Sequence, residues 1–170
     1  MSFSRTIPLS RAVGAPQITP FQAWLGAVFY CAMPTPPKPS YVTTVSAEEW
    51  RRLPLGERAL HVARSQVGVK EVGSNWGPVV RMYLKAAGLF SPAPWCAAFV
   101  TWCLLEAGAV RSKLPKFPAS TYWWWKWATD HKRLHATPKR GDIGVVNGKE
   151  GGHQFWVRAV SLGNNLFSTI

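Results

Sequence analysis

Apolar residues recur at helical spacing at Leu60, Ala63 and Val67 after Glu57, and Gly68 follows as a left-handed stop. A shorter helix precedes this one. Ser46-Ala-Glu-Glu49 has the capping-box pattern, in which Ser46 accepts from the third helical amide and Glu49 reaches back, and Pro54 ends the run. Pro78 is well placed as a first helical residue, and Val79, Val80, Tyr83, Leu84 and Ala87 make a further stripe before Gly88. The segment from Trp95 to Gly108 is apolar almost all round, which predicts a helix buried on most sides. Ser120 can cap one more helix, running through Asp130. From Gly141 the period changes to two, with strands predicted over 143–146, 153–160 and 166–170 and a turn at Gly163-Asn164-Asn165. Helices followed by an antiparallel sheet make an α+β plan.

Composition narrows the reading. A 170-residue chain with 47% hydrophobic and 16% charged residues is one domain's worth of globular protein, which excludes wholesale disorder and a charged coiled coil. Twenty basic residues against eight acidic ones leave a net charge of +12, pointing to an anionic partner. Nine of the basic residues lie within 111–149, and the usual reading of such a cluster is a solvated basic face. Ten tryptophans exceed ordinary core duty and admit a carbohydrate or nucleic-acid surface. The tail, residues 1–45, carries Arg5, Arg11 and Lys38, no acidic residue, and an apolar run from Phe21 to Met33 too short to span a bilayer. Its late start and Tyr30 make a poor export signal. Pro34 to Pro39 reads as a stiff linker, which leaves 46–170 as the globular domain.

Three cysteines, Cys31, Cys96 and Cys103, make a disulfide scaffold improbable. Cys96 and Cys103 are seven apart on one predicted helix, roughly 10 Å along its axis, too far to bridge. Cys96 falls in the first turn, where unpaired amides and the helix dipole favour a thiolate and can hold an oxyanion. The bland alternative, a small buried hydrophobe, suits Cys103 well. A thiolate needs a base. His61 sits beside arginines and reads as a solvated surface residue, while His131 and His135 have metal-ligand spacing but Lys132 and Arg133 between them and no third ligand. No metal and no cofactor are expected. His153 opens a strand, and alternation groups it with Phe155, Val157 and Ala159 in an inward row, with Trp156 on the outer face. A histidine at the open end of such a row suits a general base.

Residues 57–170 resemble the CHAP family of cysteine, histidine-dependent amidohydrolases and peptidases, which is related to the NlpC/P60 group. The resemblance is carried by Ala63 to Glu71, Gly73 to Pro78, Trp95-Cys-Ala-Ala-Phe-Val-Thr-Trp102, Pro138 to Ile143, Gly152-His153 and Ser168-Thr-Ile170. It implies a papain-like fold, with N-terminal helices packed on a small antiparallel sheet, in which Cys96 attacks an amide carbonyl and His153 moves the proton. It also implies that the loop before Pro78 approaches the cysteine, making Glu71, Asn75, Trp76 and Trp95 candidate substrate contacts. A merely structural role is an equal alternative for Asn75 and Trp76. Asp142 is expected to fix the turn into the sheet rather than to take part in catalysis.

The family's third polar group, which orients the histidine, normally follows the Ser-Thr-Ile stretch. A two-residue turn at Gly163-Asn164 would pair His153 with a position 174, so the last strand reads as truncated. The leading expectation is therefore a peptidoglycan hydrolase that forms a cysteine thioester, with peptidoglycan or an anionic wall polymer as partner. Its expected location is the bacterial envelope or exterior, with a phage origin open. A catalytically impaired wall-binding module is the first alternative. A basic nucleic-acid-binding protein is a distant one, because the basic residues are not interleaved with the aromatics in any such motif. Neither stable membrane insertion nor an oligomeric state is implied.

Overall fold

The computed structural model describes residues 4–7, 37–148, 151–161 and 166–170. Expectations for the apolar run, for Cys31 and for the Gly163-Asn164-Asn165 turn lie outside the described residues. Five α-helices, α1 (Ala47–Arg52), α2 (Leu55–Arg64), α3 (Pro78–Ala86), α4 (Cys96–Glu106) and α5 (Thr121–Asp130), precede three strands in the chain. These are β2 (Ile143–Gly148), β3 (Gly151–Ser161) and β4 (Leu166–Thr169). A short strand near the N-terminus, β1 (Ser4–Ile7), joins them, and the sheet is antiparallel in the order β1-β2-β3-β4. The arrangement is the α+β plan expected.

Local chemistry sets the helix ends. The capping box at Ser46 forms in both directions, at 3.1 Å from the Glu49 amide to Ser46 Oγ and 3.0 Å from the Ser46 amide to Glu49 Oε2. Pro78 stands at the start of α3, and Gly88 just past its end takes φ +87°, a conformation only glycine adopts without strain. α2 stops at Arg64, a turn earlier than Gly68, so Val67 leaves the stripe and is 71% exposed.

α4 lies at the centre of the molecule, packed against α2, α3 and β3. Its residues Ala97, Ala98, Val100, Thr101, Trp102, Cys103 and Leu104 are all buried, as its all-round apolar sequence requires. Around it stand Leu60 and Ala63 from α2, Val80, Tyr83 and Leu84 from α3, and Ile143, Val145 and Trp156 from the sheet. The Tyr83 ring is 4.9 Å from Trp102, 5.1 Å from Phe99 and 5.8 Å from Trp95, and its hydroxyl donates to Gln66 Oε1 at 2.9 Å. Aromatic pairs at these separations add to their burial. Packing begins upstream of α1, for Val42 is fully buried and Tyr41 stacks on Trp102.

α5 covers β2 and β3. Trp124 is fully buried and donates from Nε1 to the Pro118 carbonyl at 2.9 Å, while Trp123, Trp125 and Trp127 are half-buried and Tyr122 is 56% exposed. The aromatic run thus divides between core and surface, as one helix face cannot hide neighbouring rings.

The strand rows correct an expectation. Trp156 is fully buried within the core cluster and Gln154 is 3% exposed, whereas in the other row His153 and Ala159 are exposed and Val157, though fully buried, stands outside that cluster. The row that meets the helices is therefore Gly152, Gln154 and Trp156, not the row containing His153. Size decides the matter, because an indole gains more by burial than an imidazole. A β-bulge between Val157 and Ala159 then shifts the β3–β4 register, and Trp156 exchanges both backbone hydrogen bonds with Ile170.

One further placement differs from expectation. His61 is half-buried rather than solvated, with Nδ1 2.7 Å from Thr44 Oγ1, and burial together with Arg64 holds its pKa below the usual histidine value. Asp142 behaves as expected, accepting from the Lys139 amide at 2.8 Å, and it also lies 3.2 Å from His135 Nε2.

A side chain at Gly152 would bring its Cβ to 2.5 Å from Thr121 Cγ2 and 3.1 Å from the Val146 carbonyl. Gly152→Ala is expected to destabilise the fold by about 1–3 kcal/mol through overpacking, measured by denaturant unfolding. The lowered pKa of His61 gives a sign for pH. The unfolded chain binds that proton more readily, so the stabilisation is present above about pH 6.5 and is lost as pH falls from there through the lower folded-state value. The melting temperature of His61→Gln should accordingly fall less between pH 7.5 and 5 than that of the wild type.

Candidate active site

Cys96 is the first residue of α4, and its side chain is partly exposed. No side chain caps this helix end and no acidic residue stands in its first turn, so nothing in that turn opposes the dipole's attraction for a negative charge. Pro92 and Pro94 keep the preceding residues extended, and the stacking of Trp95 on Tyr83 holds the approach to the cysteine. Cys103 is the opposite case. It is fully buried, and burial pushes its thiol well above the usual range, an effect that the neighbouring Trp156 indole only partly offsets.

Cys96 opens onto a cavity of about 1010 Å³. Gln66 to Val69, Asn75, Trp95 and Phe99 line it together with Gly152 to Phe155, Thr169 and Ile170. His153 is thus brought to the same cavity as Cys96, although it belongs to the strand row facing away from the helices. Its ring lies 6.1 Å from that of Phe155, and Phe155 in turn covers Gly144, leaving no room for a β-carbon there. Large, mainly apolar concavities with a few polar groups are the usual form of a ligand site.

The loop candidates separate. Asn75 lines the cavity and holds φ +54°, a left-handed conformation that asparagine tolerates better than most residues. Trp95 lines it too. Glu71 does not, but its Oε2 accepts from Trp95 Nε1 at 3.0 Å and from the Asn75 amide at 3.2 Å, so one carboxylate braces both cavity residues. Trp76 faces a separate groove with Pro78, Met82 and Lys85, and Arg81 lies 5.4 Å above its ring. Its carbonyl closes the loop by accepting from the Val72 amide at 2.7 Å, which is the structural role weighed for it above.

His131 and His135 do not converge on a common point. His131 Nδ1 is 2.7 Å from the Trp127 carbonyl, while His135 Nε2 faces Asp142. Among the described residues, no group of three or more potential ligands is placed to hold a metal, and no helix is long and apolar enough to cross a membrane. Sequence reasoning passed over Gln154, which lines the cavity from the buried row. A polar residue between His153 and the large aromatic side chains of an inward-packed strand was the available sign.

The CHAP domain family model matches residues 89–169, a span that includes Cys96, His153 and Gln154. Residues 89–169 form a CHAP domain. CHAP domains are generally cysteine- and histidine-dependent amidohydrolases or peptidases, and the small antiparallel sheet beside the helices accords with that assignment. No curated protein and no solved structure matches the chain.

The contrast between the two thiols is directly measurable. Iodoacetamide at neutral pH should modify Cys96 well before Cys103, as read by peptide mass spectrometry, and equal labelling in the folded protein would contradict the burial described here.

Proposed function

We propose that the CHAP domain cuts an amide or peptide bond in peptidoglycan through a thioester on Cys96. The observation supporting this most directly is the meeting of Cys96, at an uncapped helix start, and His153 on the wall of one cavity. In this reading His153 takes the thiol proton as sulfur attacks the substrate carbonyl, and the first-turn amides of α4 stabilise the resulting oxyanion. Collapse breaks the carbon–nitrogen bond, and the imidazolium returns its proton to the leaving amine. Water then attacks the thioester with His153 as base, releasing a carboxylic acid and restoring the thiol.

The net charge of +12 suits an anionic wall polymer, since it raises encounter rates in a salt-dependent way. The proposed working location is the bacterial envelope or its exterior. A second reading, a wall-binding module with weak catalysis, is favoured by one observation: among the described residues the ring that His153 meets is the apolar Phe155. An imidazole without an orienting partner loses rate by orders of magnitude but not all of it.

Turnover decides between them. With purified peptidoglycan as substrate, Cys96→Ala should abolish release of new amine or carboxyl ends, and His153→Ala should reduce it by about 10³-fold or more. Full activity in Cys96→Ala would refute the nucleophile. Sedimentation with the wall without any turnover would establish the second reading.

A further inference from the structure

Gln154 lines the cavity, and the proposed reaction gives its carboxamide no role. It is 3% exposed, and neither its Oε1 nor its Nε2 has a hydrogen-bond partner among the described residues. A buried carboxamide left in this state is destabilising, because both its donor and its acceptor have been taken out of water without replacement. Such groups persist where a ligand completes them. Gln154 stands next to His153 in β3 and shares the cavity with Cys96.

We propose that Gln154 is a substrate-binding residue that pairs with a peptide group of the wall's stem peptide near the bond cut at Cys96. A carboxamide offers one acceptor and a donor in a single plane, which is the complement of a secondary amide's N–H and C=O. A charged carboxylate or ammonium of the substrate would find only half of that match. Because both atoms are covered, the side chain turns toward the cavity when the peptide enters. The turn is favourable because it satisfies two groups at once. The opposite strand position at Val145 is apolar and offers no competing partner. This rests on the proposed peptidoglycan reading for the identity of the ligand, but not on the rate of the reaction.

The test separates the two. A soluble muropeptide carrying the stem peptide is titrated calorimetrically into Cys96→Ala protein, with and without Gln154→Met or Gln154→Leu, and melting temperatures are recorded for each. The expected result is binding weakened at least tenfold by either Gln154 substitution while the melting temperature is unchanged or raised, since an apolar side chain of similar volume removes two unsatisfied groups. A merely structural glutamine would give the same rise with no loss of affinity. Equal affinity in the substituted proteins, or no binding of the muropeptide by the Cys96→Ala protein, overturns the assignment. Failure of the hydrolase reading shows elsewhere, as a wild-type protein that binds the same muropeptide in a Gln154-dependent way but never cleaves it.

Discussion

A helix with no polar face can exist in water only if something covers it on every side, and α4 imposes that demand on the whole domain. α2, α3 and β3 pack against it, and Tyr41 from the chain upstream of α1 stacks on its Trp102. The hydrophobic stabilisation gained by burying these side chains is non-directional. Direction comes from the aromatic contacts of Tyr83 and the hydrogen bond to Gln66, which set where the start of the helix lies.

The candidate site follows from that placement. Cys96 at the very start of α4 is partly exposed, whereas Val100 and Cys103, one and two turns later, are fully buried. The loop carrying Asn75 reaches the same point because the Glu71 carboxylate ties it to Trp95. Rigid elements thus present a reactive side chain beside a loop, the usual division of labour between scaffold and function.

Much of this was legible in the sequence because the governing interactions are local. The capping box at Ser46, the proline opening α3 and the glycine after it act over a few residues, and each predicted element has its counterpart in the structure. The facing of β3 was not legible. Both rows of the strand mix polar and aromatic residues, so alternation alone could not say which row meets the helices. That choice was made by Thr121 against Gly152 and by the fit of Trp156 beside Cys103, contacts between residues far apart in the chain. The bulge between Val157 and Ala159 leaves no glycine or proline in the sequence to betray it. The convergence of Cys96 and His153 was expected from the family resemblance, whereas Gln154 went unnoticed because a lone polar residue in a strand carries little local information.

The separation of Cys96 from Cys103 along α4 bears on oxidative damage. A sulfenic acid formed on an exposed cysteine is recoverable when a neighbouring thiol condenses with it, but further oxidation to the sulfinic acid is essentially permanent. Cys103 is sealed in the core two turns away, and among the described residues no third thiol stands near. The helix that exposes the sulfur of Cys96 therefore also keeps Cys103 from serving as its resolving partner, and a thiol that rescues that sulfur comes from outside the described residues.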